Sequence, residues 1–313
     1  MKWRILITAP PILPSIEDYR NLFEKNSAEL VTPPFEVKEC LYEKELNELL
    51  VDIDGIICGD DKLTKDVLTQ ANKLKVISKW GTGIDSIDAE EAKNLGIKVY
   101  RVKGAFANPV SDTVMAYILM FARRIKEKDM TVRNGPWEKI PSITLKEATL
   151  GVIGVGHIGK ALVRRAISFG MNVLGNDIIQ IPQDFINETG IEMVSLSDLL
   201  VCSDFVSLHC DLNKTSYKLI GDKELKLMKS DGFLINTSRG EVVDEKALEQ
   251  VLINKQITGA ALDVFEVEPL PESSSLRELD NVYLSPHNAN SSFMVFKEVH
   301  AASIQNLFRG LDS

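Results

Sequence analysis

The sequence predicts an α/β protein with two doubly wound domains, each built on a parallel sheet. The chain has 313 residues, more than one hydrophobic core usually supports. Short β-branched runs alternate with helical patterns almost throughout, as parallel strands joined by crossover helices require. A second series of strand-like runs begins near residue 150, so the pattern occurs twice.

The first series contains four short runs that are rich in β-branched residues, and these predict strands at 3–8, 55–58, 74–78 and 97–102. Between them, residues 64–74 place apolar side chains at helical spacing, which predicts a helix.

The second series is nearly continuously apolar, which indicates strands that are covered on both faces. Its runs are TLGVIGVG, MNVLGND, FVSLHC, GFLINTS, TGAALDVF and NVYLSP. A helix is predicted at 244–256, with Asp244 as its N-cap. We expect one long helix at 111–130 that joins the two series. A C-terminal helix after His287 is expected to pack on the first domain, which would make that domain discontinuous.

The charge and the cysteines limit the classes of partner and location. The formal net charge is −9, which disfavours nucleic acid and anionic membranes but permits a small anionic substrate. The four cysteines are scattered and form no C-x-x-C pair, so no zinc site or disulfide framework is indicated. No run approaches the roughly 18 apolar residues of a membrane span. We expect a cytoplasmic protein with no metal, no nucleic-acid partner and no membrane partner.

A glycine motif in the second series predicts dinucleotide binding. Gly154, Gly156 and Gly159 have G-x-G-x-x-G spacing, follow an apolar strand and open a helical pattern. Such glycines let the backbone approach a pyrophosphate at a helix N-terminus. The next strand ends in Asp177, 18 residues beyond Gly159, and its carboxylate suits the ribose hydroxyls of NAD and would repel the phosphate of NADP. The alternatives are an ordinary glycine turn and a carboxylate that caps a strand end.

Polar side chains also follow three later strands of the second series. GFLINTSRG contains Arg239, GAALDVFEVEP contains Asp263 and Glu268, and VYLSPH contains His287. Each alone has a structural explanation. Arg239 could be a solvated loop residue, and Asp263 could cap a strand end. Glu268 could be the acid of an exposed Glu-Pro turn, and His287 could be a polar residue where a strand stops. The carboxyl ends of parallel strands share one edge of a sheet, so we expect these side chains to converge on one crevice.

Together these side chains suit hydride transfer on a 2-hydroxy acid. Oxidation of an alcohol needs a base at the oxygen, and His287 is the candidate because imidazole titrates near neutral pH. Glu268 would fix its tautomer and stabilise the imidazolium. Arg239 offers a planar fork that matches a carboxylate and can polarise the substrate oxygen. In the first series, Gly81-Thr82-Gly83 follows a strand and could form an anion-binding nest, although an ordinary strand-to-helix turn has the same composition.

These motifs resemble the D-isomer-specific 2-hydroxyacid dehydrogenase family, close to its phosphoglycerate dehydrogenase branch, from about residue 50 to 292. The resemblance rests on KWGTGID, NGPWE, GVIGVGHIGK, INTSRGEVVDEKAL, GAALDVFEVEP and LSPH. It implies a Rossmann cofactor domain, 103–287, inserted in a flavodoxin-like substrate domain formed by 1–102 and 288–313, and a homodimer that forms through the cofactor domain. Arg239 would bind substrate, Glu268 and His287 would form the acid–base pair, and Gly81, Thr82 and Gly83 would hold the substrate carboxylate. The implied NAD contacts are Thr82, Gly154, Gly156, His157, Ile158, Gly159, Asp177, Thr237, Ser238 and Asp263.

The sequence departs from the branch at the turn after the second predicted strand. Phosphoglycerate dehydrogenases usually place an Arg there, whereas this chain has Cys58 followed by Asp60 and Asp61. Two carboxylates would disfavour a phosphate unless Lys62 or Lys79 compensates. Other departures are Asp112, Asp211, and the run Asn288, Ala289 and Asn290 after the histidine.

We therefore predict an NAD-dependent D-2-hydroxyacid dehydrogenase whose substrate is a small acid, either 3-phosphoglycerate or an unphosphorylated acid such as glycerate or lactate. The alternative from another class is an NAD-sensing, corepressor-like protein with the same fold. The intact set of Arg239, Glu268 and His287 argues against that alternative, because a sensor has no need of all three. A scaffold protein would explain neither the glycine motif nor the polar strand ends.

Overall fold

The structure is a computed structural model that describes residues 2–312. The chain divides into two compact units. One unit contains the residues up to Phe106 together with those from Ser292 onward, and the other contains Ala107–Ser291. None of the helices in the described part of the chain is both long and apolar enough to span a membrane.

The first unit is built on a five-stranded parallel sheet in the order β2-β1-β3-β4-β5, which is the flavodoxin-like order. Its strands are β1 Trp3–Ile7, β2 Ala28–Val31, β3 Gly55–Cys58, β4 Val76–Lys79 and β5 Lys98–Arg101. Its helices are α1 Arg20–Lys25, α2 Glu43–Leu49, α3 Lys65–Gln70, α4 Ala89–Asn94 and the C-terminal α12 Phe293–Asp312, with a 3-10 helix at Leu13–Tyr19.

The C-terminal helix α12 packs on β3, β4 and β5 of this sheet. The Ser78 hydroxyl donates to the Ser303 carbonyl at 2.8 Å, and Gly310 lets the helix come close to Val76. Buried aliphatic side chains such as Leu6 and Ile77 form the core on the sheet.

The second unit is built on a seven-stranded parallel sheet in the order β12-β11-β10-β9-β6-β7-β8. Its strands are β6 Thr149–Ile153, β7 Asn172–Asn176, β8 Glu192–Met193, β9 Phe205–Leu208, β10 Phe233–Asn236, β11 Gly259–Leu262 and β12 Val282–Leu284. Its helices are α5 Ala107–Arg123, α6 Ile125–Arg133, α7 His157–Ser168, α8 Gln183–Thr189, α9 Leu196–Cys202, α10 Asp222–Leu225 and α11 Glu245–Ile253, with short 3-10 helices at Leu145–Glu147, Gly240–Val242 and Ser275–Glu278.

The strand order reverses between β6 and β9, where the chain passes from one half of the sheet to the other. This is the doubly wound dinucleotide-binding order extended by one strand. The predicted fold class, an α/β protein with two parallel doubly wound sheets, is therefore confirmed. The predicted N-cap of α11 is also confirmed, because the Asp244 carboxylate accepts from the Ala247 amide at 3.2 Å.

The single long helix predicted at 111–130 is wrong. The chain forms α5 and α6, separated by Arg124, which adopts a left-handed conformation with φ of 50°. No Pro or Gly marks this break in the sequence, so helical periodicity continues across a position where the backbone changes direction.

Candidate active site

One edge of the second sheet collects the polar side chains predicted to carry the chemistry. Strands β6, β10, β11 and β12 are parallel, so their carboxyl ends share this edge. The predicted residues follow directly: Gly154 after β6, Thr237 to Arg239 after β10, Asp263 after β11 and His287 after β12. In an open α/β sheet this edge is where ligands bind.

Glu268 and His287 form a hydrogen-bonded pair. His287 Nδ1 lies 2.8 Å from Glu268 Oε2, and both side chains are about three-quarters buried. The other carboxylate oxygen, Oε1, accepts from the Phe265 amide at 3.0 Å, so the carboxylate is fixed by the backbone of its own turn. This bond assigns the proton of the neutral ring to Nδ1 and leaves Nε2 as the basic nitrogen.

The carboxylate of Asp263 organises the loop that carries His287. It accepts hydrogen bonds from the Asn288 amide at 2.8 Å, from the Ala289 amide at 2.9 Å and from the Ser285 hydroxyl. The His287 amide donates to the Asp263 carbonyl at 2.8 Å. These bonds hold His287 at φ of 48°, a left-handed conformation that a non-glycine residue adopts only at a cost.

Helix α5 also holds this loop. The Thr113 hydroxyl lies 3.1 Å from the Ala289 carbonyl, and the Tyr117 hydroxyl lies near the Ser285 side chain. Burial raises the pKa of Tyr117, so the group remains a neutral phenol. The sequence did not indicate these roles for Thr113, Tyr117 and Ser285. Two features of the sequence could have indicated them. One is Ser285, a small hydroxyl residue directly before Pro286 and His287, and the other is the polar run after His287.

Arg239 lies on the loop after β10, which is fixed by Asn236. The Asn236 amide donates to the Arg239 carbonyl at 2.8 Å, and its oxygen accepts from the Ser238 amide and hydroxyl. An added Cβ on Gly240 would overlap the carbonyl group of Phe265. Phe265 also donates to Glu268, so the Arg239 loop packs directly on the Glu268 turn.

The glycine motif forms a tight turn between β6 and α7. An added Cβ on Gly154 would lie 2.6 Å from the Cys210 amide nitrogen, and one on Gly159 would overlap the Gly154 carbonyl oxygen. At Gly156, by contrast, no described atom lies within 4 Å of such a Cβ. Gly154 and Gly159 therefore serve close packing. Gly156 instead faces open space at the N-terminus of α7, where His157 and Ile158 form the first turn.

Asp177 lies beside this turn, just after β7. Its carboxylate accepts from the Val155 amide at 2.7 Å and from the Ile179 amide at 3.0 Å. The prediction that it binds ribose and the alternative that it caps a strand end are thus compatible, because each carboxylate oxygen has a second lone pair.

The hydroxyl oxygen of Thr237 supports a ligand at this edge. It is buried and has no hydrogen-bond partner among the described residues, and such an orphaned group usually bonds to a ligand or water. Together with the open face of Gly156 and the Asp177 carboxylate, it fits a dinucleotide. The fold and this arrangement at its ligand-binding edge define the class of the protein, a dinucleotide-dependent oxidoreductase.

The predicted substrate nest, Gly81-Thr82-Gly83, lies in the first unit, after β4. Gly81 has φ of 123°, which favours glycine. The Val102 amide donates to the Gly81 carbonyl, and the Thr82 hydroxyl donates to the Val102 carbonyl, both at 2.8 Å. The Thr82 carbonyl accepts from the Arg101 guanidinium at 3.1 Å. The carbonyls of this turn are thus held by the neighbouring strand.

Known proteins are similar to this chain along most of its length. The family profile "D-isomer specific 2-hydroxyacid dehydrogenase, NAD binding domain" matches residues 115–289. A glyoxylate reductase of Korarchaeum cryptofilum is 41% identical over 257 residues, which cover 80% of this chain and 77% of that protein. A D-3-phosphoglycerate dehydrogenase of Methanocaldococcus jannaschii is 38% identical, over 88% of this chain and 53% of that protein. A D-lactate dehydrogenase from Aquifex aeolicus, solved with NAD and lactic acid, has a TM-score of 0.86 at 28% identity and covers 96% of this chain and 93% of that one.

The chain belongs to the D-isomer-specific 2-hydroxyacid dehydrogenase family. It is an NAD-dependent oxidoreductase that acts on CH–OH donors, and the resemblance inferred from its motifs is confirmed. The roles of individual site residues and the identity of the acid remain predictions.

Proposed function

We propose that the chain reduces a small 2-oxo acid to the corresponding D-2-hydroxy acid with NADH, and catalyses the reverse reaction when product accumulates. The observation that supports this most directly is the 2.8 Å contact between His287 Nδ1 and Glu268 Oε2. A group that must exchange a proton with a substrate oxygen needs one ring nitrogen fixed and the other available. In this pair Glu268 fixes Nδ1 at the ligand-binding edge of the sheet, and Nε2 is the nitrogen that we propose exchanges the proton.

In the proposed reduction, the proton on His287 Nε2 moves to the substrate carbonyl oxygen. When bound, NADH would supply the hydride in this direction, and NAD would accept it in the other. Glu268 stabilises the imidazolium before transfer and keeps Nδ1 protonated after it. In the oxidation, His287 takes the hydroxyl proton through the same nitrogen.

Arg239 is proposed to bind the substrate carboxylate and to polarise the oxygen that is being protonated. Its guanidinium provides several donors in one plane, which suits a 2-oxo acid. The loop bonds from Asn236 and the packing of Gly240 on Phe265 hold its backbone beside the Glu268 turn. The nest at Gly81 to Gly83 is proposed to contribute amide donors to the substrate carboxylate.

The residues proposed to hold NAD are those at the edge of the second sheet. The amides at the N-terminus of α7, including His157 and Ile158, would face the pyrophosphate beside Gly156. Asp177 would accept hydrogen bonds from the ribose hydroxyls, and the buried hydroxyl of Thr237 would form a hydrogen bond with the cofactor. Ser238 and Asp263 lie on the adjacent strand ends, with Thr82 proposed from the first unit.

The substrate class is proposed from the relatives. Several proteins with extensive similarity to this chain are named glyoxylate reductase, one hydroxypyruvate reductase and one D-3-phosphoglycerate dehydrogenase. The common feature is a 2-oxo or 2-hydroxy acid with few carbons. The test is NADH oxidation by the purified protein with glyoxylate, hydroxypyruvate, 3-phosphohydroxypyruvate and pyruvate. Turnover of at least one acid that is abolished in His287→Ala supports the proposal, whereas NADH binding without any turnover would favour an NAD-sensing protein.

We also propose a homodimer that forms through the NAD-binding unit. Helix α6 and the segment after it expose large apolar side chains that a monomer would leave in water. These are Ile125, Met130, Val132, Trp137 and Ile143, with Trp137 exposed at 73%. Sedimentation equilibrium tests this, and Met130→Glu should shift the protein toward monomer.

The four free cysteines support a reducing compartment, such as the cytoplasm.

A further inference from the structure

The turn after β3 contains Gly59, Asp60 and Asp61, and we call it the acidic turn. A turn that binds phosphate requires positive charge, whereas this turn carries two carboxylates. Cys58, directly before it, is fully buried and lies with Sγ 4.0 Å from the Ser78 carbonyl. Burial raises the pKa of this thiol, and the nearby Asp61 carboxylate raises it further. Position 58 therefore carries no charge.

Asp61 is committed to the fold of the acidic turn. It is fully buried, and its carboxylate accepts from the Thr8 hydroxyl at 2.5 Å, the Leu41 amide at 2.7 Å and the Gly59 amide at 3.1 Å. These three donors use both oxygens. The residue thus joins the strand ends of β1 and β3 and is not available to a ligand.

Asp60 has the opposite character. Its carboxylate is 42% exposed and lies 3.0 Å from the ammonium of Lys79, whose side chain is only 4% exposed. The positive charge of this ion pair is therefore below the surface, and the negative charge is at the surface. Lys79 also lies 3.5 Å from the Trp80 carbonyl, which holds the ammonium close to the backbone of the following turn.

The same ammonium connects Asp60 with the proposed substrate nest. A Cβ on Gly81 would lie 4.0 Å from Lys79 Nζ, so Gly81 and Asp60 both lie close to one buried cation. Of the two cations close to the nest, Lys79 is thus already paired with a carboxylate, and Arg101 donates to the Thr82 carbonyl. The partner of Lys79 that lies at the surface is the Asp60 carboxylate.

We infer that Asp60 is a specificity-determining residue that excludes 2-oxo acids with a phosphate on the carbon chain and restricts the enzyme to unphosphorylated acids. This inference rests on the proposed function, because it assumes that the substrate binds at the nest. A phosphate dianion near Asp60 meets a like charge, and the cation in contact with Asp60, Lys79, is paired and buried. A hydroxyl in the same place can donate a hydrogen bond to the carboxylate.

Hydroxypyruvate and 3-phosphohydroxypyruvate test this directly, since they differ only in the phosphate. The measured quantity is the ratio of kcat/KM for the phosphorylated acid to kcat/KM for the free acid. In wild type we expect this ratio to be about 0.1 or lower, and in Asp60→Asn we expect it to rise by about tenfold or more, because the amide keeps the shape and removes the charge. Asp52→Asn is the matched control. Asp52 is also an exposed carboxylate paired with a lysine, Lys73 at 2.7 Å, but it precedes β3 at the other end of the same sheet. The control should leave the ratio unchanged.

Three results would overturn the inference: a wild-type ratio near or above one, an Asp60→Asn ratio equal to that of wild type, or an equal rise in Asp52→Asn. Should Asp60→Asn fail to fold, the wild-type ratio is measured with increasing NaCl. Repulsion from an exposed carboxylate is screened, so the ratio must rise, and a constant ratio contradicts the role of Asp60. If the enzyme reduces hydroxypyruvate and the ratio is the same in Asp60→Asn as in wild type, only the specificity role of Asp60 is contradicted. If it reduces none of the acids, the proposed function is contradicted as well.

Discussion

The imidazole of His287 and the carboxylate of Glu268 are joined at 2.8 Å, although the two residues lie at the ends of different strands. Their separation in the chain is bridged by β12, which runs parallel to β11 and brings the loop after Leu284 back to the Glu268 turn. The contact is the basis of the acid–base assignment, and it yields the first prediction.

His287→Ala should lower kcat by about 10²–10⁴-fold, the usual contribution of a general acid–base, while the Kd for NADH changes little. Glu268→Gln should give a smaller loss, because the ring keeps a hydrogen bond but loses the charge that stabilises the imidazolium. Steady-state kinetics and NADH fluorescence titration measure the two effects. If His287→Ala kept its kcat, proton transfer would have to be assigned elsewhere.

Asp263→Ala should impair both stability and turnover, because it removes the acceptor for Ser285, Asn288 and Ala289. Leaving such donors unsatisfied costs about 1–3 kcal/mol each when they are buried. Since these bonds hold His287 in its left-handed conformation, kcat should fall as well. The control is Thr113→Val, which removes one bond to the same loop and leaves the carboxylate. Urea unfolding and kcat are measured for both, and a Thr113→Val loss as large as that of Asp263→Ala would contradict the anchoring role.

The sequence was sufficient for the architecture and for the expectation that Glu268 and His287 lie together. Buried parallel strands are continuously apolar, so β6, β9 and β10 could be located from composition alone. The edge strand β2 at Ala28–Val31 was not predicted, because it is short and only partly buried. Its place in the sheet depends on pairing with β1, a non-local contact that composition does not record.

Parts of the site also depended on tertiary contacts. The polar run after His287 had no explanation in the sequence, and the structure shows that the Asn288 and Ala289 amides bond to Asp263. Main-chain donors are the same for every residue type except proline, so no side-chain pattern could reveal them. Likewise, Asp60 and Asp61 are adjacent in the sequence, and only burial separates the ion-paired carboxylate from the structural one.

Substitution of the glycines of the motif should separate packing from cofactor binding. Gly154→Ala adds a Cβ 2.6 Å from the Cys210 amide at a position with φ of 91°, so we expect a loss of about 2–4 kcal/mol in unfolding free energy. Gly156→Ala meets no described atom within 4 Å and should leave stability nearly unchanged while weakening NADH about tenfold or more. Chemical denaturation and NADH titration provide the two measurements. Unchanged NADH affinity in Gly156→Ala would place the pyrophosphate elsewhere.

Asp177→Ala should reduce the preference for NAD over NADP. The carboxylate offers charged acceptors to ribose hydroxyls, and a hydrogen bond to a charged group contributes about 1.5–3 kcal/mol. Affinity for NADH should therefore fall by at least about tenfold, while affinity for NADPH rises or holds because a repulsive charge is gone. Asp184→Ala, an exposed carboxylate on α8, is the control for net charge. An equal loss of affinity for NADH and NADPH would indicate that Asp177 only holds the turn through the Val155 and Ile179 amides.

Folding stability should fall as the pH decreases below about 6.5, in part because of His209. Burial lowers the pKa of this histidine to about 3, and its Nδ1 has no hydrogen-bond partner among the described residues. Between these two values the unfolded chain binds a proton that the folded chain does not, so acidification favours unfolding. The slope for one proton is at most about 1.4 kcal/mol per pH unit.

The variant His209→Gln removes this titration and should have a shallower pH dependence than wild type between pH values of about 6.5 and 5, by up to ~2 kcal/mol over that interval. The quantity compared is the change in unfolding free energy with pH within each protein, because the substitution also alters packing against the Gly154 turn. His157→Gln, at an exposed histidine on α7, is the matched control and should retain the wild-type slope. Urea unfolding of the cofactor-free protein at several pH values measures all three. If His209→Gln and His157→Gln had the same slope as wild type, the acid sensitivity would have to come from the carboxylates, and His209 would be protonated in the folded protein.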